Sequence, residues 1–237
     1  MKAYVGVSGF SYPSWRGTFY ADGAKSQEFL TLYSERLRTV EINSSFYSPP
    51  SSAMVKSWTG KTSAEFRFSF KAPRLITHIL KLGKGASDAA GRLSKTIDPL
   101  EARRGPILFQ LPPSSKFDIE LLKDFLSQTS EISPRVFEFR HASWLNDSIY
   151  ALLEQQGAGF CIADTEDMEP TLRVTGGLAY FRLRKESYDE GQIDSWAEKI
   201  SRVAGDAEDC YVYLRHDESG GNAILAERLA RQLGKAS

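Results

Sequence analysis

Eight short runs rich in valine, isoleucine and aromatic residues recur along this chain of 237 residues, separated by longer amphipathic stretches. They cover residues 3–9, 39–46, 67–73, 106–112, 135–141, 159–164, 179–184 and 210–217, with starts 20 to 39 residues apart. Runs of this length and composition read as buried strands. The segments between them carry helical spacing. Phe29, Leu30, Tyr33 and Leu37 repeat in this way within 26–38, Asp118 can cap the stretch 119–128, and 192–204 and 222–234 show similar patterns. Strand–helix alternation implies parallel strands, because each return needs a long crossover. Eight such units in this length predict a single (β/α)8 barrel domain over 1–237; an open doubly wound sheet is the competing architecture. The link between strands six and seven, DTEDMEPTLRVTGG, offers no regular helix.

Buried parallel strands should read as nearly continuous apolar runs. Seven of these runs instead end in polar or charged residues: Glu41 and Asn43, Lys71, Gln110, Glu138 and Arg140, Asp164, Arg182 and Arg184, and Arg215. Several pairs are two residues apart, so both members point to one side of their strand. In a barrel that side is the lumen, and the C-terminal strand ends form the rim where barrel enzymes carry out their chemistry. The three histidines, His78, His141 and His216, follow strand ends three, five and eight. A buried polar plug would explain the same residues, but desolvating each ion costs several kcal/mol and apolar replacements are often as stable. A ligand or catalytic pocket is therefore the expectation.

The cations at these ends set the ligand class. Lys71, Arg140, Arg182, Arg184 and Arg215 suit phosphate or carboxylate, and arginine offers bidentate contacts. Glu41, Glu138, His141 and Asp164 are the candidates for catalysis, with Glu138 or Glu41 as base and His141 as proton donor. Asn43, Lys71, His78, Gln110, Arg140, Arg182, Arg184 and Arg215 are candidates for substrate binding. The first loop adds Tyr12 and Trp15, whose rings can stack on a sugar or a base or else pack against the barrel mouth. Glu41, Glu138, His141, Asp164 and Asp217 could in principle ligate a metal, but the surrounding cations would repel it, so no metal is expected. The glycines match neither a phosphate loop nor a dinucleotide fingerprint, and no cofactor is expected.

The chain carries 30 basic and 30 acidic side chains, which argues against a generally basic nucleic-acid coat while permitting a local patch. Cys161 and Cys210 sit within apolar runs and suit buried thiols in a reducing compartment. With no signal-like start and no run of about 18 apolar residues, a cytoplasmic protein away from membranes is expected.

The motifs VGVSGFSYPSWRGTFY (5–20), VEINSSFY (40–47), FSFKAPRLITH (68–78), GPILFQLPP (105–113) and FEFRHASW (137–144) resemble the YecE-like domain-of-unknown-function family. The likeness runs in order through Asp164 and the segment 180–183. It implies a TIM barrel without an established activity. It also implies that Glu41, Asn43, Lys71, His78, Gln110, Glu138, Arg140, His141 and Asp164 stand at motif positions, with no role assigned. Family members often read RLHG where this chain has Arg182-Leu183-Arg184-Lys185, and an Asn pair where it has Arg215-His216. Both departures add positive charge at the rim.

The leading expectation is a cofactor-independent enzyme for a phosphorylated or anionic carbohydrate-like or nucleotide-like substrate. The alternatives are a nucleic-acid-binding module, or metal-dependent phosphodiesterase chemistry, on the same basic rim.

Overall fold

The computed structural model describes residues 1–234. The eight strands are β1 (Lys2–Ser8), β2 (Thr39–Ile42), β3 (Arg67–Lys71), β4 (Arg104–Gln110), β5 (Arg135–Glu138), β6 (Gly159–Asp164), β7 (Leu178–Leu183) and β8 (Asp209–Leu214). Each pairs in parallel with the next, and β8 pairs with β1, so the sheet closes into a barrel. The helices are α1 (Phe29–Arg36), α2 (Ser52–Thr59), α3 (Ala86–Ile97), α4 (Ile119–Gln128), α5 (Asp147–Gln155), α6 (Glu190–Val203) and α7 (Gly221–Leu233). Residues 165–177, between β6 and β7, form no helix, as the sequence predicts. No helix among the described residues is long and apolar enough to cross a membrane.

Two apolar layers hold the barrel. Outward-facing strand residues such as Val40, Phe68, Phe70, Phe109, Phe137 and Phe181 join the inner faces of the helices in one continuous shell. A smaller cluster fills the lumen: Tyr4, Leu108, Val136, Cys161, Leu178, Tyr180, Tyr211 and Tyr213. Burial of each large apolar side chain adds about 1.5–3 kcal/mol, so the shell carries most of the stability. β1 lies so close to β2 that a Cβ on Gly6 would sit 2.0 Å from the Thr39 carbonyl oxygen, and only glycine fits there.

Two sequence expectations change in detail. β2 stops at Ile42 rather than continuing to residue 46, and Ser44–Phe46 form a 3-10 turn. There the Ser45 hydroxyl contacts the carbonyls of Ile42 and Lys71 at 2.6 and 2.7 Å, occupying acceptors that a longer ladder would use. Helices α2, α3 and α5 were not among the helical segments read from the sequence. α2 and α5 carry caps, Ser51 accepting from Met54 N at 3.2 Å and Asn146 accepting from Ile149 N at 3.2 Å. α3 buries Ala86, Ala89, Ala90, Leu93 and Ile97 along one face, a helical spacing already present in the sequence. The expected Asp118 cap is present, accepting from Leu121 N at 3.0 Å.

Candidate functional site at the barrel mouth

The lumen changes character from bottom to top. Near the N-terminal ends of the strands, Tyr4 stacks on Tyr211 with centroids 4.8 Å apart. One layer up, the Tyr213 hydroxyl bridges Thr39 Oγ1 at 2.6 Å and Ser69 Oγ at 2.7 Å. Above these neutral contacts lies a charged layer. Arg182 donates to Glu41 through Nε at 3.0 Å and Nη2 at 2.8 Å, and to Glu138 through Nη1 at 2.6 Å. Tyr180 also donates to Glu41 at 2.8 Å, and Gln110 donates to Glu138 at 3.2 Å. Arg140 forms an ion pair with the second oxygen of Glu138. Glu41, Glu138 and Arg182 are all buried.

These contacts decide the protonation states. Burial by itself would raise both carboxyls, but the Arg182 guanidinium reverses that effect and holds Glu41 below its ordinary range. Arg182 and Arg140 together hold Glu138 at about 2 against the same opposing burial. Carboxylates held this low have little affinity for a proton at neutral pH. In this geometry Glu41 and Glu138 both accept from guanidiniums, and these contacts lower the proton affinity that the expected general-base role would use.

A second set of cations stands above that layer. Arg184, two residues beyond Arg182, keeps part of its side chain open to solvent while packed atoms desolvate its guanidinium, bringing it down to about 10. Its Nη1 reaches the Ser8 hydroxyl at 3.0 Å. Lys71, half-buried, holds its ammonium 4.2 Å from the centre of the Phe46 ring. Desolvation, with Arg182 as the largest charged contributor, lowers it to about 8. Among the described residues, no carboxylate oxygen forms an ion pair with Lys71 or Arg184 within 4.0 Å. Two carboxylates, Glu41 and Glu138, therefore face four cations: Arg182, Arg140, Lys71 and Arg184.

The remaining predicted residues divide into those near the mouth and those turned away from it. Asn43 lies just past β2, half-buried, with an Oδ1 atom that is buried and has no hydrogen-bond partner. It lines an open groove of about 540 Å³ with Gly9, Tyr12 and Lys61. His78 sits on the turn after β3, its ring edge-on to Phe46 at 4.9 Å, and desolvation with Lys71 lowers its pKa. His141 is half-buried, and its Nδ1 accepts from Ser143 N at 3.2 Å, which leaves Nε2 to carry the proton; no hydrogen bond joins it to Glu138. Arg215 is exposed just beyond β8 and His216 stacks on Tyr12 at 4.8 Å.

Asp164 and Trp15 do not reach the mouth. Asp164 points out through the wall, accepting from Tyr188 at 2.9 Å and Trp196 at 3.2 Å, with Lys185 Nζ at 3.3 Å. Cys161 and Ala163 take the lumen positions of β6, so Asp164 is one register step away. Trp15 is completely buried, its indole N–H bonded to the Asp217 carbonyl at 2.7 Å. Its neighbours Phe19 and Tyr20 are buried too, so the first loop packs rather than presents its rings. The potential metal donors are likewise dispersed. Asp217 caps α7 by accepting from Gly221 and Asn222 N–H, both at 3.0 Å, and no group of three His, Cys, Asp or Glu side chains among the described residues could hold an ion.

The sequence reading missed three contributors. Ser8 accepts from Arg184 and from the His216 N–H at 3.1 Å, and its i, i+4 spacing from Tyr4, which puts both on one side of β1, was a usable signal. Tyr180, lying between apolar neighbours, gave no sign that its hydroxyl would meet Glu41. Phe46 follows a strand end in the sequence, but its contact with Lys71 depends on the 3-10 turn that carries it.

Residues 4–237 match the family model described as "Protein of unknown function DUF72". Over 109 residues the chain is 31% identical to the UPF0759 protein YecE of Escherichia coli strain K12. That match covers 46% of this chain and 37% of the relative, so it spans well under half the relative's length. A DUF72 family protein from Thermotoga maritima MSB8 superposes with a TM-score of 0.85 at 27% identity, covering 99% of this chain and 100% of the other. One from Enterococcus faecalis V583 gives 0.74 at 17% identity, over 99% and 94% of the two chains, a likeness of fold alone. The chain, with its closed barrel and the strand-end motifs in order, belongs to the YecE-like DUF72 family.

Proposed function

We propose that the barrel mouth binds a small phosphorylated or carboxylated molecule, carbohydrate-like or nucleotide-like, and acts on it as a cofactor-independent enzyme. The observation that carries this reading is the imbalance of the two charged layers. Glu41 and Glu138 are engaged by Arg182 and Arg140, while Arg184 and Lys71 are desolvated without a carboxylate partner. A desolvated, unpaired cation is costly, and an anionic ligand relieves that cost. Asn43 Oδ1 gives the neighbouring groove an acceptor for a ligand hydroxyl or amino group. In this reading Arg184, Arg140 and Lys71 hold the anion, Arg182 fixes the floor, and His141 offers a proton from Nε2.

Several cations gathered inside a strand-walled mouth suit a compact anion better than an extended polymer, and the burial of Trp15, Phe19 and Tyr20 leaves few rings for base stacking. Thermal shift with inorganic phosphate, then with phosphorylated metabolites, tests the proposal. Phosphate should raise the melting temperature by mass action, and Arg184→Ala should remove the rise. If no anion in the panel moves the wild-type protein, the anion site is lost as an explanation. Tight oligonucleotide binding that weakens steeply with salt would favour the nucleic-acid reading instead.

A further inference from the structure

We propose that Lys71 is a nucleophile that forms an imine with a small carbonyl compound bearing a carboxylate or phosphate group. The inference rests on the anion site proposed above and adds the chemistry that site would perform. Its basis is the place of one amine. Lys71 ends β3 with its side chain at the mouth, half-buried and against the Phe46 ring; burial first, then the Arg182 and Arg184 guanidiniums, lower its proton affinity against the opposing pull of Glu138 and Glu41. Among the described residues it has no ion-pair partner. A lysine whose task was to hold the fold together would be expected to meet a carboxylate. Burial, with Arg182 and Arg184, outweighs the Glu138 and Glu41 carboxylates and the Phe46 ring face that favour the ammonium, and tips this side chain towards the neutral amine that can attack. The cations that disfavour its ammonium form are also the groups able to hold the anionic end of a substrate, so one arrangement would both activate the amine and steer the carbonyl.

The step balances without a cofactor. The neutral amine adds to the carbonyl carbon, forming a C–N bond while the carbonyl oxygen takes up a proton. The carbinolamine then loses its hydroxyl as water, the two hydrogens of the amine having ended on that oxygen, and a proton taken from solvent gives the iminium. With its amine at about 8, the neutral fraction at pH 7 exceeds that of an ordinary exposed lysine on the order of a hundredfold. Hydrolysis by the reverse path regenerates the lysine.

Borohydride trapping provides the test. The intact protein is incubated at pH 7 with pyruvate, glyoxylate and dihydroxyacetone phosphate in turn, each in the presence of cyanoborohydride, and labelled lysines are located by peptide mapping. Lys71 should be labelled at least tenfold faster than exposed Lys81, and inorganic phosphate should slow that labelling. Lys71→Arg, which cannot form an imine, should lose the adduct, and the phosphate response is read separately on the wild-type protein by thermal shift. Labelling of Lys71 no faster than Lys81 by all three probes, with the phosphate response intact, overturns the nucleophile and leaves the anion site standing. If phosphate also leaves the wild-type melting temperature unmoved, both proposals fall.

Discussion

Arg182 and Arg184 leave the same strand end two residues apart and on the same side, yet they sit in different electrostatic regimes. Arg182 donates three hydrogen bonds to two buried carboxylates, whereas Arg184 meets the Ser8 hydroxyl and no carboxylate. The inner layer is satisfied: every charge in it has a partner of opposite sign at hydrogen-bond distance. The outer ring is not, since desolvated Arg184 and Lys71 stand over a layer whose anions are already engaged. Structural polarity in a barrel can be recognised by such closure, and a site awaiting a ligand by its absence. The residue types are the same in both layers, so composition alone could not tell them apart.

The comparison makes its largest prediction in the inner layer. Removing Arg182 leaves Glu41 and Glu138 buried beside one another, with Arg140 the one remaining ion-pair partner among the described residues and Lys71 and Arg184 acting on them only from a distance. Arg182→Ala should cost about 3–5 kcal/mol in urea unfolding. A cost below about 1 kcal/mol would mean that the layer is hydrated and not closed.

The opposite sign is expected in the outer ring. Folding lowers the Lys71 amine to about 8, against about 10.4 for an ordinary lysine, so the folded protein binds this proton more weakly than the unfolded chain. Stability should therefore rise as pH climbs from about 8 to 10.4, and below about 8 the penalty is fully present. Lys71→Met should stabilise the free protein at pH 7 by up to about 3 kcal/mol and flatten that alkaline slope. Loss of stability on this substitution would show that Lys71 has a structural partner.

Acid separates the layers further. Glu138, at about 2, contributes stability above the unfolded carboxylate range near 4.3, and that contribution fades as pH falls through about 2. The difference in unfolding free energy between wild type and Glu138→Gln should accordingly shrink on going from pH 5 to pH 2. A difference that stays constant would place the Glu138 pKa in the ordinary range. The smallest effect concerns the residue outside the wall. Asp164→Asn should cost about 1–2 kcal/mol through its Tyr188, Trp196 and Lys185 contacts, with the phosphate response unchanged. A lost phosphate response would return Asp164 to the site.

The site was partly legible before the fold was known. Period-2 spacing put Glu41 with Asn43, Glu138 with Arg140, and Arg182 with Arg184 on common sides, because alternation along a strand is a local property. It failed at Asp164, where the adjacent Ala163 takes the lumen position; the small residues Gly159, Cys161 and Ala163 were the signal that β6 faces inward one step earlier. It also failed at Trp15, because an aromatic-rich loop looks the same whether its rings meet a ligand or the core.

By itself the sequence determined the eight strands, their parallel order, the helix-free link after β6 and the gathering of charge at one end. These follow from hydrophobic periodicity and from the need of each parallel return for a long crossover. Only the tertiary structure decided which charges are paired, which are desolvated, and which leave the lumen. Pairing depends on where β2, β3, β5 and β7 stand around a closed ring, and a distance across that ring is not encoded in the spacing along any one strand.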